Sequence, residues 1–155
     1  MADDEVDFAV AAYRSDGAWN VVELKTSLGR DLEALSQAMS RFRSDAGVLA
    51  MVSIDEDFFV LVRRQSTGTR ILLSDVTAVE ESALAGDVAD LMDLPEIDDD
   101  DDPQPGGDLD IVADLGVSAV DMTDLCDDDD AIPEDLLLEL AERLGFADEL
   151  EAVLD

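Results

Sequence analysis

The densest apolar stretch of the chain, residues 57–79, predicts two antiparallel strands joined by a turn. Residues 58–64 and 69–79 are rich in aromatic and β-branched side chains, and residues 65–68 between them supply a turn that ends in a glycine. Residues 58–62 contain no polar side chain. Such a run is typical of a central strand that is covered on both faces. We therefore expect this hairpin to form the core of the fold.

Three more segments read as strands. Residues 8–14 and 19–25 alternate in side-chain character on either side of residues 15–18, a turn sequence that contains a glycine, so they predict a second hairpin. Residues 47–54 are again mostly apolar and predict one further strand. With residues 58–64 and 69–79, the pattern indicates a mainly antiparallel sheet of about five strands.

Two helices accompany these strands. Between residues 27 and 43 the apolar side chains recur at alternating spacings of four and three, which places them on one helical face: Leu28, Leu32, Leu35, Met39 and Phe42. Residues 82–94 show a similar face, and Pro95 helps to end that helix. The fold class predicted for residues 6–95 is therefore α+β, with two helices packed on the sheet.

The chain changes character after residue 95. Residues 96–107 combine five consecutive aspartates with two prolines and two glycines, a composition that predicts a linker. Residues 108–154 contain short apolar patterns typical of amphipathic helices, and we interpret them as a small acidic all-helical C-terminal domain. Helices this short do not stand alone, so their apolar faces must pack on each other, on the sheet or on a partner.

Three residues in the C-terminal segment mark where helices begin or end. Pro133 has the position of a first helical residue, and Gly145 has the position of a helix stop. Ser118, three residues before Asp121, predicts an N-terminal cap. The same region resembles the attachment site of acyl carrier proteins, but their modified serine lies between an aspartate and a leucine. Ser118 lies between a valine and an alanine, which favours the cap.

Charge divides the chain more sharply than hydropathy does. The sequence has 41 acidic and nine basic residues, no histidine and a net charge of −32. Residues 1–70 hold 12 acids and eight bases, whereas residues 71–155 hold 29 acids and a single base, Arg143. Proteins bind nucleic acid by neutralising phosphates with Lys and Arg. The second half is therefore expected to repel RNA and to attract a basic protein surface.

The residues that most enzymes use are missing from this sequence. Without histidine, and with Cys126 as the single cysteine, a histidine-based triad, an internal disulfide and a multi-cysteine metal site are all excluded. No glycine-rich phosphate-binding motif is present. We predict no catalytic residue, no cofactor and no metal. The chain has no apolar run of the ~20 residues that a membrane helix needs, and we expect a cytoplasmic protein.

Two runs of aspartate are the candidate partner-binding residues. Isolated acidic runs are usually solvated spacers, but the charge here is concentrated in these runs rather than spread over the chain. The runs are Asp98, Asp99, Asp100, Asp101 and Asp102, followed by Asp127, Asp128, Asp129 and Asp130.

Several segments of the chain resemble the actinobacterial family of tRNA adenosine deaminase-associated proteins. They are residues 8–14, 58–63, 72–78, 107–110 with 113–116, 125–128 and 141–146. The resemblance implies an association with the deaminase, and the family name reflects the neighbourhood of the two genes. The resemblance assigns no catalytic residue. The chain itself is not the deaminase, because zinc deaminases need a His/Cys/Cys or all-cysteine zinc site.

Two functions of different class remain open at this point. The first is a non-enzymatic accessory or regulatory protein that binds a tRNA adenosine deaminase, or another basic protein surface, rather than RNA. The alternative is a small acidic structural or interaction protein unrelated to tRNA modification. The sequence leaves the partner and the oligomeric state unknown.

Overall fold

Six strands form one antiparallel sheet in the computed structural model. The structure describes residues 6–15, 18–25, 32–40, 42, 47–54, 58–65, 68–74, 86–88, 90, 106–126 and 132–154. The strands are β1 (Val6–Ser15), β2 (Ala18–Glu23), β3 (Val48–Ile54), β4 (Phe58–Gln65), β5 (Gly68–Leu73) and β6 (Gly106–Gly107). Their order across the sheet is β2-β1-β3-β4-β5-β6.

The α+β class and the antiparallel sheet are thus confirmed. Both predicted hairpins are present, β1 with β2 and β4 with β5. The apolar run in β4 is explained by its position, because β4 lies between β3 and β5 and its first six residues are buried. The sixth strand was not predicted. Its two glycines, which lie in the segment interpreted as a linker, pair with Leu72 and Leu73.

One face of the sheet packs against helix α1 (Leu32–Met39). Leu32, Leu35 and Met39 of the predicted stripe are buried there. Phe42 is half-buried and stacks on Tyr13 with ring centroids 5.0 Å apart. Residues 86–88 and 90, in the second predicted helix, are helical, and Val88 belongs to the same apolar cluster. The remainder of that prediction, and Leu28, lie outside the described residues.

The opposite face of the sheet packs against the C-terminal segment. Three helices follow β6: α2 (Ala119–Cys126), α3 (Pro133–Leu144) and α4 (Ala147–Leu154). Their buried side chains share one apolar cluster with β1, β3, β4 and β5. Of the alternatives open from the sequence, two are therefore seen together: the helices pack on the sheet and on each other. The division into residues 6–95, 96–107 and 108–154 stays a prediction.

The segment between β6 and α2 differs from the predicted amphipathic helix. It forms turns and a short 3₁₀ helix, Ala113–Leu115, which ends at Gly116 with a positive φ of 120°. Its buried side chains are Ile111, Val112 and Val117, so this part of residues 108–154 does not form the amphipathic helix that its apolar pattern predicted. Within the described residues, no helix is both long enough and apolar enough to span a membrane.

Candidate protein-binding surface

The C-terminal helices present an apolar side to the sheet and an acidic side to solvent. In α3 the leucines at 136, 137, 140 and 144 are buried, whereas the acids of the same helix are exposed. Residues 106–126 and 132–154 carry twelve acids, none of them buried: Asp108, Asp110, Asp114, Asp121, Asp124, Glu134, Asp135, Glu139, Glu142, Asp148, Glu149 and Glu151. We call this outward side the acidic layer.

Positive charge does little to neutralise the acidic layer. The described layer contains one base, Arg143, which is exposed. The Arg143 Nη2 lies 3.4 Å from Oε1 of Glu139, one helical turn away. Exposed pairs of this kind contribute little to stability and are screened by salt. Asp110 and Asp114 contact arginines of the sheet, and the other nine described acids leave this surface strongly negative.

Capping residues, a proline and a glycine set where the helices that carry these acids begin and end. The Ser118 Oγ accepts a hydrogen bond from the Asp121 backbone N–H at 3.2 Å, which confirms the predicted cap of α2. Pro133 is the first residue of α3, with Glu134 and Asp135 in the same turn, where negative charge favours the helix dipole. Gly145 ends α3 in the left-handed conformation, as predicted.

A buried arginine fastens the acidic layer to the sheet. Arg63 of β4 is 1% exposed, and its Nη1 donates to the Ile111 carbonyl oxygen at 2.9 Å. Its guanidinium also binds both carboxylate oxygens of Asp114, with Nη2 to Oδ2 at 2.9 Å. The hydrogen bond from Arg63 holds the pKa of Asp114 below its ordinary value, although partial burial opposes this shift. The acidic layer is thus positioned by a charge-assisted contact.

A second arginine reaches the same segment from the neighbouring strand. Arg70 of β5 lies directly opposite Arg63 in the sheet, and its Nη1 is 3.8 Å from Oδ2 of Asp110. Both side chains of this pair are exposed, so the contact is weaker than that of Arg63. The sequence did not indicate either contact, since an arginine at the end of an apolar strand usually extends into solvent.

The two predicted aspartate runs, Asp98–Asp102 and Asp127–Asp130, lie outside the described residues. Their neighbours along the chain are described. The first run precedes β6, and the second lies between the end of α2 at Cys126 and the start of α3 at Pro133. Sequence reasoning concentrated on these runs and passed over the exposed acids of α3 and α4. The signal for those acids was present in the sequence, as acids placed between the buried leucines of an amphipathic pattern.

Two cavities are lined by described residues. The larger of them, about 640 Å³, lies beside α1, and its lining includes Leu32, Val62 and Ile71 together with three acids. The smaller, about 170 Å³, lies beside Glu23 and Glu134. Within the described part of the chain, no three acids, cysteines or histidines are grouped so that they could hold a metal ion.

Comparison with known proteins adds a family. The family model described as "Rv3753c-like tRNA adenosine deaminase-associated protein" matches residues 7–147. The chain belongs to this family. It is 34% identical to Protein Rv3753c of Mycobacterium tuberculosis (strain ATCC 25618 / H37Rv) over 157 residues, which cover 99% of this chain and 91% of that protein. No solved structure matches it.

Membership of the tRNA adenosine deaminase-associated family confirms the resemblance drawn from the sequence. The match includes the whole sheet from Asp7 onward, the buried Arg63 and all of α3. The family description names an association with the deaminase rather than the deaminase itself.

Proposed function

We propose that this protein is a non-enzymatic accessory or regulatory protein that binds a tRNA adenosine deaminase through its acidic side. Residues 98–135 form the contact, and the aspartates at 98–102 and 127–130 face a basic surface of the enzyme. The protein binds the enzyme rather than its RNA. The observation that carries this proposal is the acidic layer: seven of its twelve described acids lie within residues 98–135, a stretch whose sequence contains no Lys or Arg.

Charge complementarity supports a basic protein surface as the partner. A protein that acts on tRNA needs basic residues to meet phosphates, and such a surface attracts an acidic one. The acidic layer resembles a phosphate backbone in the sign of its charge. The proposed contact therefore competes with tRNA for the enzyme, which gives the association a regulatory consequence.

The test is the affinity for the deaminase at low and at high salt. We expect binding to weaken steeply as salt rises, because charges more than ~10 Å apart are screened near 0.1 M. A variant with Asp127, Asp128, Asp129 and Asp130 replaced by asparagine is expected chiefly to slow association, since charges at the edge of an interface steer the encounter.

A matched control carries the same change in net charge elsewhere. Glu33, Glu80, Glu81 and Asp90 are four acids outside residues 98–135. Their replacement by the corresponding amides is expected to change the association rate less than replacement of the aspartate run. Binding that does not respond to salt, or equal effects of the two variants, would contradict docking through residues 98–135. The absence of binding at every salt concentration would favour an acidic protein unrelated to tRNA modification.

A further inference from the structure

Strand β2 forms an open edge of the sheet. It pairs with β1 over six consecutive residues without a bulge, and no described strand lies on its other side. The opposite edge, β6, is only two residues long. Sheet edges are usually protected by short strands, bulges, prolines or charges. Within β2, Glu23 at the end is the single charged residue, so the strand's own sequence offers this edge little protection.

The hydrogen-bond pattern shows which backbone groups face outward. The Leu24 N–H donates to the Ala9 carbonyl oxygen at 2.8 Å, which fixes the phase of the β1–β2 ladder. Hydrogen-bonded pairs alternate along antiparallel strands, so every second residue of β2 bonds to β1. The N–H and carbonyl groups of Trp19, Val21 and Glu23 therefore point away from β1, toward the open edge.

Helix α4 brings negative charge to one face of this edge, where the guanidinium carbon of Arg14 also lies 5.7 Å from the Trp19 ring centroid. Helix α4 carries exposed Asp148, Glu149 and Glu151, and it packs on the same side of the sheet as Trp19. The ring centroids of Trp19 and Phe146, the residue before α4, lie 4.8 Å apart. An extended segment that binds here meets acids on the C-terminal side of the sheet. Lysine and arginine are the side chains that complement them.

The end of β2 opens onto the smaller cavity. Asp7, Glu23 and Glu134 line it together with the apolar side chains of Phe8 and Ile132. Its volume of about 170 Å³ is below the ~300 Å³ at which small-molecule sites usually begin, so it suits one side chain of a partner. A long side chain with an apolar stem and a cationic end matches both kinds of lining.

We propose that the open edge of β2 binds an extended, basic segment of a partner protein by strand addition, with one lysine or arginine entering the cavity beside Glu23. Strand addition gives affinity through main-chain hydrogen bonds and specificity through side chains. A second copy of the chain is a poorer occupant. Antiparallel pairing of two β2 strands places the two α4 helices on the same face of the joined sheet, where their acids repel.

This inference rests on the proposed function, because the deaminase is the partner that would supply the segment, but its test does not use the deaminase. The probe is an acetylated and amidated octapeptide in which lysine alternates with threonine. Trp19 is the single tryptophan of the chain and lies on β2, so its fluorescence reports binding. On peptide binding, the amides of Trp19, Val21 and Glu23 are expected to gain protection from hydrogen exchange.

Two control peptides separate strand addition from simple charge attraction. The first has the same sequence with N-methyl groups on alternate backbone nitrogens, so it keeps the charge and loses the donors. We expect it to bind about tenfold more weakly or worse. The second has glutamate in place of lysine and is expected not to bind. Equal affinity of the methylated and unmethylated peptides would overturn strand addition.

Two pairs of variants test the geometry. Val21→Pro removes an N–H that faces the open edge and leaves the ladder to β1 complete, whereas Val21→Ala keeps that N–H and removes similar packing. We expect the proline variant to lose peptide binding and the alanine variant to keep it. Glu134→Gln is expected to weaken binding several-fold, and Glu142→Gln, on the exposed side of α3, to leave it nearly unchanged.

The remaining outcomes are also decisive. If the free protein is a dimer whose Trp19, Val21 and Glu23 amides are already protected, a second copy occupies the edge and the proposal is wrong. If the peptide binds as described and the deaminase does not bind at any salt, the edge site stands while the proposed function fails. If the deaminase binds with the expected salt dependence and the peptide does not bind, the reverse holds.

Discussion

Replacement of Asp114 by asparagine tests whether the acidic layer is fastened to the sheet by the Arg63 contact. Asp114 accepts hydrogen bonds from both terminal nitrogens of a guanidinium that is 1% exposed. Asparagine has nearly the same shape and retains one acceptor oxygen, but it removes the negative charge. Arg63 then keeps the Ile111 carbonyl oxygen and loses its counter-ion.

The expected cost follows from the exposure of the two partners. Hydrogen bonds between charged groups contribute ~1.5–3 kcal/mol each when well protected from water. The Asp114 side chain is 57% exposed, so water screens its end of the pair and reduces that figure. We expect Asp114→Asn to lower the free energy of unfolding by about 1–2 kcal/mol at pH 7.

The pH dependence has a definite sign. The pKa of Asp114 is lowered in the folded protein by the hydrogen bond from Arg63. Its contribution to stability is therefore complete above the pKa of the unfolded chain and is lost as the pH falls through the folded-state pKa. The difference between the natural chain and the asparagine variant should be full at pH 7 and should shrink below about pH 4.

Urea unfolding at pH 7 and pH 3 measures both effects, with Asp110→Asn as the matched control. That substitution makes the same charge change four residues earlier, where Arg70 is exposed and 3.8 Å away. Its expected cost is within ~0.5 kcal/mol. Equal losses for the two variants, or a loss at Asp114 that is the same at both pH values, would refute the reasoning.

Three more predictions concern the sheet and its connections. Phe59→Ala should cost about 3–5 kcal/mol in unfolding free energy by urea titration, because the side chain is fully buried in the central strand; a loss below ~1 kcal/mol would contradict that burial. Gly107→Ala should destabilise more than Gly116→Ala in the same assay. Both glycines have positive φ, but a Cβ at 107 would collide with the Ile71 carbonyl oxygen, whereas one at 116 has no described atom within 4 Å. Limited proteolysis should cut residues 98–107 first, and protection there equal to that of β4 would show that the linker prediction is wrong.

The distribution of apolar side chains along the chain predicted most of the sheet, because it reflects burial directly. The strands that are covered on both faces, β3 and β4, have continuous apolar sequences, and the helix stripe of α1 has a regular spacing. Strand β6 could not be predicted in this way. Gly106 and Gly107 have no side chains to form a pattern, and their pairing depends on the close approach of the backbone to Ile71.

The site was less predictable than the fold. Composition located the negative charge in the second half, but it could not show that the acids of α3 and α4 share one outward side. The role of Arg63 depends on the path of residues 108–116 across the sheet, which no local pattern encodes. The open edge of β2 likewise depends on strand order, since β1 pairs with both β2 and β3.

The two-sided covering of the sheet has a consequence for the order in which the chain can fold. The first face is covered by α1 and Val88, which come early in the chain, whereas the second face is covered by residues from Ile111 to Leu150. As synthesis proceeds from the N-terminus, the sheet therefore emerges with one apolar face uncovered, and such surfaces promote aggregation. A chain cut short before residue 106 keeps that face exposed permanently. The C-terminal helices thus cover the apolar face of the sheet within the same chain. Their outward acids give the finished molecule a surface on which like charges repel other copies.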